Sequence, residues 1–327
     1  MKKIGLPVIY VFLVSALVFT SCSIKKMAMK AVANTLTTPE GGTVFTGDND
    51  PEFVGDALPF AIKMYESLMV TIPQHKGLRL RTGSLYIMYA NAFLQTPASL
   101  LSAKEYKKQD FLMKRAKNLY LRGRDIVMTA LEQVYPGFID NLNSRKYDKA
   151  LAPVQKPDVP FLYWAAAGWL GAFAIDPFDM KLGLTVPRAA AMMDYALRLD
   201  ENFQDGAIHE FYVLYYGSMP EYMGGNFKKA RQHFKKAVGL SKGKSTSAYI
   251  SLATTVSIQE QNLDEFKELL DQVLKIDSNS DPDNRLVNIL NQRKARWLLD
   301  HVEDFFLLAD DSQTTDSEDA PRDEEEF

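Results

Sequence analysis

The sequence predicts an all-α protein built from helical hairpins that stack side by side. Between Pro51 and Ala309, apolar residues recur at spacings of three and four, whereas the alternation typical of strands is scarce. One spacing of small and aromatic residues also returns several times along the chain. With 327 residues, 46% of them hydrophobic and 24% charged, the chain has the composition of a globular protein.

The stretch GGNFKKARQHFKKAV shows the repeated spacing most clearly. Gly225 and Phe227 precede Ala230, Phe234 and Ala237, a pattern that resembles the second helix of a tetratricopeptide (TPR) repeat. Spacings of four and three place the alanines and Phe234 on one face, where small side chains let a partner helix approach closely. Related spacings occur at Ala61, Tyr65 and Leu68, at Ala189, Met193 and Ala196, at Phe266, Leu270 and Val273, and more weakly at Ala116, Tyr120 and Gly123. We therefore predict a TPR-like α-solenoid of irregular helical hairpins.

The first residues have the layout of a secretion signal. Two lysines form a basic start, and the apolar run from Ile4 to Phe19 is shorter than the ~20 residues that a membrane span needs. The sequence FTSC that ends at Cys22 resembles a bacterial lipobox. We therefore predict that residues 1–21 are removed and that Cys22, the only cysteine, is lipidated. An uncleaved anchor helix and an ordinary secretion signal are the alternatives.

The remaining segments are assigned from composition. Residues 22–50 are rich in Thr, Gly and Asn and are predicted to be a flexible tether, with one short helix from Ile24 to Leu36 as an option. Residues 51–309 form the predicted helical domain, capped by a final helix from Arg285 to Leu308. Residues 310–327 hold nine acids and one arginine, which is typical of a disordered tail.

The basic stretch ends in GLSKGKST, which resembles a phosphate-binding loop but does not match the motif. Gly239 and Gly243 enclose three residues instead of four, and a helix instead of a strand precedes them. The basic side chains are expected on the outer face of that helix, either solvated or facing an acidic partner or anionic lipid, and not nucleic acid. They are Lys228, Lys229, Arg231, Lys235 and Lys236.

Motifs for catalysis or metal binding are weak. No two of the four histidines have zinc-ligand spacing, and two Asp-rich stretches that start like calcium loops lack the required Gly and Glu. The sequence contains no GxSxG nucleophile motif. We therefore expect that the protein is not an enzyme and that it has no cofactor or metal site. An envelope hydrolase is kept as the contrasting class of function.

Aromatic residues of the predicted first helices are the candidates for a groove that binds a ligand or peptide. Tyr and Trp suit such surfaces because they combine a large contact area with a polar group. Packing between helices is the alternative interpretation of the same residues. The candidates are Tyr86, Tyr89, Trp164, Trp169, His209, Tyr212 and Tyr216.

Several stretches, in order, resemble the T-component family of TRAP (tripartite, ATP-independent) transporters. They are the lipobox-like signal, ALPFAIKMYESLMVTIPQHKGL, LYIMYANAFLQ, GAIHEFYVLYYGSMPEYMGGNFKKARQHFKKAV, FKELLDQVL and RLVNILNQRKARWLLDHVEDFF. They cover most of the span from Ala57 to Phe306. Phe19 in the lipobox and the acidic tail depart from the family's pattern.

The resemblance implies an all-helical, TPR-like lipoprotein that faces the periplasm of a bacterial cell envelope. It implies association with the periplasmic substrate-binding protein of an uptake system driven by an ion gradient in separate membrane subunits. It also implies oligomeric assembly and a cleft or pore for a small, hydrophobic ligand. A general TPR adaptor for envelope assembly is the alternative function.

Overall fold

The computed structural model describes residues 25–307, and within this range it contains helices, turns and loops but no strand. The predicted all-α class is thereby confirmed, while the TPR-like arrangement stays a prediction. The helices are α1 (residues 25–36), α2 (Pro39–Thr46), α3 (Pro51–Thr71), α4 (Lys76–Tyr89), α5 (Thr96–Ser99), α6 (Tyr106–Val134), α7 (Phe138–Asn143), α8 (Tyr147–Leu151), α9 (Val159–Ile175), α10 (Met180–Gly183), α11 (Val186–Leu199), α12 (Ala207–Ser218), α13 (Phe227–Leu240), α14 (Ser247–Leu252), α15 (Leu263–Lys275) and α16 (Arg285–Asp300). Two π-helical segments, Ala90–Gln95 and Ala253–Ser257, continue α4 and α14.

Several helix starts are fixed by side-chain caps. Asp50, Asn226 and Asn262 each accept a hydrogen bond from the backbone N–H three residues further on, at 2.8–3.0 Å. Such caps satisfy a donor that has no partner within the helix. At α3 the cap is followed directly by Pro51, whose fixed φ suits the first helical position. These starts are therefore set by local sequence.

Helix α9 lies at the centre of the largest hydrophobic cluster and packs against α4, α6 and α11. Its alanines Ala165, Ala166 and Ala172 are fully buried. Within the described part of the chain, Lys156–Ile175 is the one helical stretch long and apolar enough to cross a membrane, but 61% of its most apolar window is buried inside the protein. We therefore assign α9 as a core helix, apolar on most sides because neighbouring helices cover most of its surface.

Helices α4 and α6 touch backbone to backbone at two glycines. A Cβ on Gly83 would lie 2.7 Å from the carbonyl oxygen of Gly123, and a Cβ on Gly123 would lie 2.6 Å from that of Gly83. Both distances are shorter than a van der Waals contact, so only glycine fits at this crossing.

The repeated spacings identified in the sequence mark buried helix faces. Ala230 and Ala237 of α13 are buried, and Phe234 between them is half-buried. The copies of the spacing on α11 and α15 behave in the same way, since all of their members are buried. These members are Ala189, Met193, Ala196, Phe266, Leu270 and Val273. The spacing thus reports which face each helix buries.

The last helix packs against the first ones, so that the array is closed. Leu286 and Leu290 of α16 belong to the same hydrophobic cluster as Val54 and Leu58 of α3. Arg285 donates to the carbonyl oxygen of Gly47 at 3.0 Å. The predicted cap therefore covers the start of the helical domain as well as its end.

Helix α16 is shorter than predicted, since it ends at Asp300 instead of Leu308. A short 3-10 turn, Val302–Asp304, follows. The aromatic residues after that turn pack back onto α15: the rings of Phe306 and Phe266 lie 4.9 Å apart.

Within residues 25–50, helix α1 agrees with the short helix that the sequence allows from Ile24 to Leu36, and α2 is an additional helix in the segment predicted as a tether. Ala33 of α1 is fully buried, and the hydroxyl of Tyr65 donates to Leu36 O at 3.1 Å. Arg81 donates to Thr38 O at 2.9 Å. The Thr- and Gly-rich composition suggested flexibility, but it supplies a cap and small residues for packing. Cys22, the signal and the acidic tail lie outside the described residues.

We predict that Gly123→Ala lowers the free energy of unfolding by about 1–3 kcal/mol, because the methyl group would force α4 and α6 apart. Gly239→Ala is the matched control: it also lies in a helix, but a Cβ there meets nothing within 4 Å. Its effect should be neutral or stabilising by up to about 1 kcal/mol. Urea unfolding of both variants at equal m-value measures the difference. Equal effects of the two substitutions would contradict the close crossing.

Candidate functional site

The segment that resembles a phosphate loop is a structural connection between α13 and α14. Gly243 has a φ of +72°, and its N–H donates to Val238 O at 2.9 Å, which ends α13. Fully buried Asn288 of α16 accepts from the N–H and the hydroxyl of Thr246, at 3.0 and 2.8 Å, and donates to Lys244 O at 3.0 Å. The buried Asn288 side chain thus fixes this loop, and the N–H of Thr246 points into the protein. Sequence reasoning missed Asn288, whose one signal is a polar residue within an apolar helical pattern.

The predicted basic face is exposed but partly neutralised. Arg231 is half-buried and donates to the carboxylates of Glu260 and Glu265, at 2.6 and 2.8 Å for one of its nitrogens. Lys236 pairs with Glu201 at 2.5 Å. The exposed members of the basic face are Lys228, Lys229, Lys235 and Lys236. Two of the five cations therefore already have acidic partners within the protein.

The seven predicted groove residues lie on three helices and do not form one lining. Tyr86, Trp169, His209 and Tyr212 are buried, so the packing interpretation applies to them. The indole N–H of Trp169, for example, donates to Thr185 Oγ1 at 2.7 Å. The half-buried members are Tyr89, Trp164 and Tyr216.

A polar and aromatic cluster joins α11, α12 and α13. The Nδ1 atoms of His209 and His233 lie 2.8 Å apart, so one ring donates and the other accepts. Tyr212 donates its hydroxyl to Asp194. Burial lowers the pKa of His209 and lowers that of His233 to about 4, and the neighbouring Lys236 ammonium acts in the same direction. Both imidazoles are therefore neutral at pH 7.

Glu210, which lies on α12 like His209, has a pKa that burial shifts upward instead of downward. Ser245 donates its hydroxyl to the Glu210 carboxylate. Burial nevertheless raises the pKa of Glu210 to about 7. Burial also raises the pKa of nearby Tyr163, and the charge of Glu210 adds to that shift. The pKa of this carboxyl group thus lies well above the usual range of glutamate.

A cleft of about 440 Å³ opens where α16 meets α3 and the π-helical end of α4. Its apolar wall includes Phe93 of the π-helical segment and Tyr89, whose rings stack with centroids 5.6 Å apart. Lys294 of α16 also lines it. Tyr89 is the one predicted groove residue among the lining residues of this cleft. Because π-helical segments often occur at functional sites, this cleft is the strongest candidate for a ligand site.

We predict that acidification from pH 6.5 to 4 lowers stability through His233. Its folded-state pKa of about 4 is below the unfolded value of 6.5, so the unfolded chain takes up the proton first. His233→Gln should reduce this decline by about 1–3 kcal/mol. Denaturant unfolding of both proteins at several pH values measures the difference, in which the opposing contribution of Glu210 cancels. Parallel stability curves between pH 7 and 4 would refute the assignment.

Comparison with known proteins identifies the family. The family model described as TRAP transporter T-component matches residues 47–306, which contain every helix from α3 to α16. An uncharacterized protein of Treponema pallidum (strain Nichols) is 38% identical over 308 residues, which are 90% of this chain and 95% of that protein. The match therefore includes the closing helix and both sides of the cleft. The chain belongs to the T-component family of TRAP transporters.

Proposed function

We propose that this protein is a lipid-anchored, periplasm-facing accessory subunit that docks the substrate-binding protein of a TRAP uptake system and holds a small ligand. Membership in the family makes the chain an accessory component of a TRAP transporter in the bacterial envelope, and the family is not one of enzymes. The observation that carries the proposal is the family match over residues 47–306. The finer statements rest on two surfaces of the described residues.

The first surface is an apolar stripe on the outer face of α3. Phe53, Phe60 and Met64 are 65%, 71% and 46% exposed, and their spacing of seven and four places them on one side of the helix. Exposed aromatic residues that lie together are typical of protein interaction sites. The same helix also borders the cleft, which Gly55 and Asp56 line. A partner on this stripe would therefore sit beside the cleft.

The second surface is α1, which follows the predicted lipidation site. Lys25, Lys26 and Lys30 of α1 are exposed, together with Met27. Basic side chains close to a lipid anchor gain about 1 kcal/mol each near an anionic membrane surface. Such a surface favours attachment of the α1 end of the protein to the membrane. The exposed lysines of α13 remain a second candidate contact for an acidic partner.

We predict that Cys22→Ser releases the protein from the membrane or leaves its precursor unprocessed. Without the thiol no acyl chain can be attached, and the basic residues of α1 alone give weak, salt-sensitive binding. Fractionation of cells at low and high salt, followed by mass measurement of the N-terminus, checks both parts. Normal processing with unchanged membrane retention would contradict the lipid anchor.

We predict that Phe60→Glu weakens binding to the cognate substrate-binding protein by at least about tenfold, because it places a charge within a desolvated contact. Phe178→Glu is the matched control, since Phe178 is another exposed phenylalanine and lies outside the α3 stripe. Calorimetric titration of each variant with the cognate substrate-binding protein gives the affinities. Wild-type affinity in a Phe53→Glu/Phe60→Glu double variant would exclude docking on α3. Recovery of cell-wall or outer-membrane assembly proteins alone in a pull-down would favour the adaptor function.

A further inference from the structure

We propose that the cleft between α3, the π-helical end of α4 and α16 binds a small amphipathic anion, with its acidic group on Lys294 and its apolar body against Phe93. The inference rests on the proposed function, because it names the ligand class that such a transport subunit would hold. It is carried by the side chains that line the cleft and by the charges among them.

Lys294 is the cation that such a ligand would meet. Within residues 25–307 its ammonium group makes no hydrogen bond and no ion pair. Its side chain is half-buried at the wall of the cleft, and this partial desolvation lowers its pKa. A charged group in such a place is unfavourable unless a counter-charge is present. A bound carboxylate would supply both the counter-charge and a charge-assisted hydrogen bond.

The other charges of the cleft leave Lys294 available. Arg293, the neighbour of Lys294, is paired with Glu52, and the second bond of that pair is 3.1 Å long. Both of these side chains are exposed, so the pair lies at the rim. Asp56 is also exposed and makes no ion pair with Lys294. An incoming anion would therefore not have to displace an internal partner of the lysine.

The remaining wall suits an apolar body. Phe93 packs closely against α3 because Gly55 lies opposite, where a Cβ would be 2.8 Å from the ring. Tyr89 stacks on Phe93, and its hydroxyl makes no hydrogen bond within residues 25–307. Leu290 and Pro51 complete this side. The volume of about 440 Å³ lies in the range of pockets for small ligands.

These features favour one acidic group on an apolar chain over other ligand classes. A second acidic group would lie against the aromatic wall, where the described residues place no second cation without an acidic partner. A cation would meet Lys294 directly, and a neutral alcohol would leave the ammonium without a counter-charge. Decanoate, decyltrimethylammonium and 1-decanol share the ten-carbon chain, so they separate these classes experimentally.

The test is calorimetric titration of the full mature chain, carrying Cys22→Ser to avoid detergent, with decanoate. We expect saturable binding of decanoate, and binding of decyltrimethylammonium and 1-decanol that is weaker by about 10- to 100-fold, the worth of one charge-assisted hydrogen bond. Lys294→Met should weaken decanoate binding by the same factor, and Lys294→Arg should retain it within a few-fold. Lys267→Met is the control, because Lys267 is exposed on α15 and does not line the cleft.

Folding of the key variant is checked by its thermal midpoint. Lys294→Met removes a desolvated charge without a partner, so the midpoint should be unchanged or higher. Gly55→Ala gives a second variant, because its methyl group displaces Phe93 and should weaken decanoate binding without touching any charge. No decanoate binding by the wild type, equal binding by Lys294→Met, or equal binding of decyltrimethylammonium would each overturn the inference.

Docking of the substrate-binding protein is measured on the wild type and on the Lys294→Met variant. Retained docking with no decanoate binding by the wild type would overturn the ligand assignment alone. Decanoate binding without any docking by the wild type would overturn the proposed transport role and leave the cleft assignment in place.

Discussion

The packing of α16 against α2 and α3 is the interaction on which the other functional features depend. It joins residues more than 200 positions apart in the chain, such as Arg285 and Gly47, and so packs the last described helix onto the first ones. Leu286 is buried in the cluster around Leu58, and burial of such a side chain contributes about 1.5–3 kcal/mol. The Arg293–Glu52 pair at the rim is exposed, so its contribution is small, about 0–1 kcal/mol. Apolar packing therefore holds the closure.

The closure also sets the positions of the candidate surfaces. On α16, Ala295 faces the core, while the adjacent Lys294 lines the cleft and Arg293 reaches the rim. On α3, Gly55 lines the cleft and Phe60 is exposed on the outer face. One helix thus carries both the wall of the proposed ligand site and the proposed docking stripe. This arrangement would let a docked partner sense or receive the ligand without a large movement of the protein.

Much of the fold could be predicted from the sequence, because helical periodicity reports which face of a helix is buried. Ala230 and Ala237 are an example. Periodicity does not report what covers that face, so the contact of Leu286 with α3 was not foreseen. The proximity of His209 to His233 was missed for the same reason, although both lie in one hairpin.

The candidate site was harder to predict than the fold. Buried Trp169 and cleft-lining Tyr89 are both large aromatic residues with a polar group, so residue type could not separate packing from binding. Lys294 carries no signal in the sequence at all, since its importance comes from its missing counter-charge. Composition alone could not predict α2 or the contact with Tyr65 that holds the end of α1, because it does not report tertiary partners.

Hydrogen exchange on the full-length protein, with and without its substrate-binding protein, tests the central claim most directly. The account predicts that docking slows exchange chiefly in Pro51–Thr71, the helix that carries both the exposed stripe and one wall of the cleft. Slowed exchange confined to Phe227–Leu240, or no change anywhere at saturating partner, would contradict it.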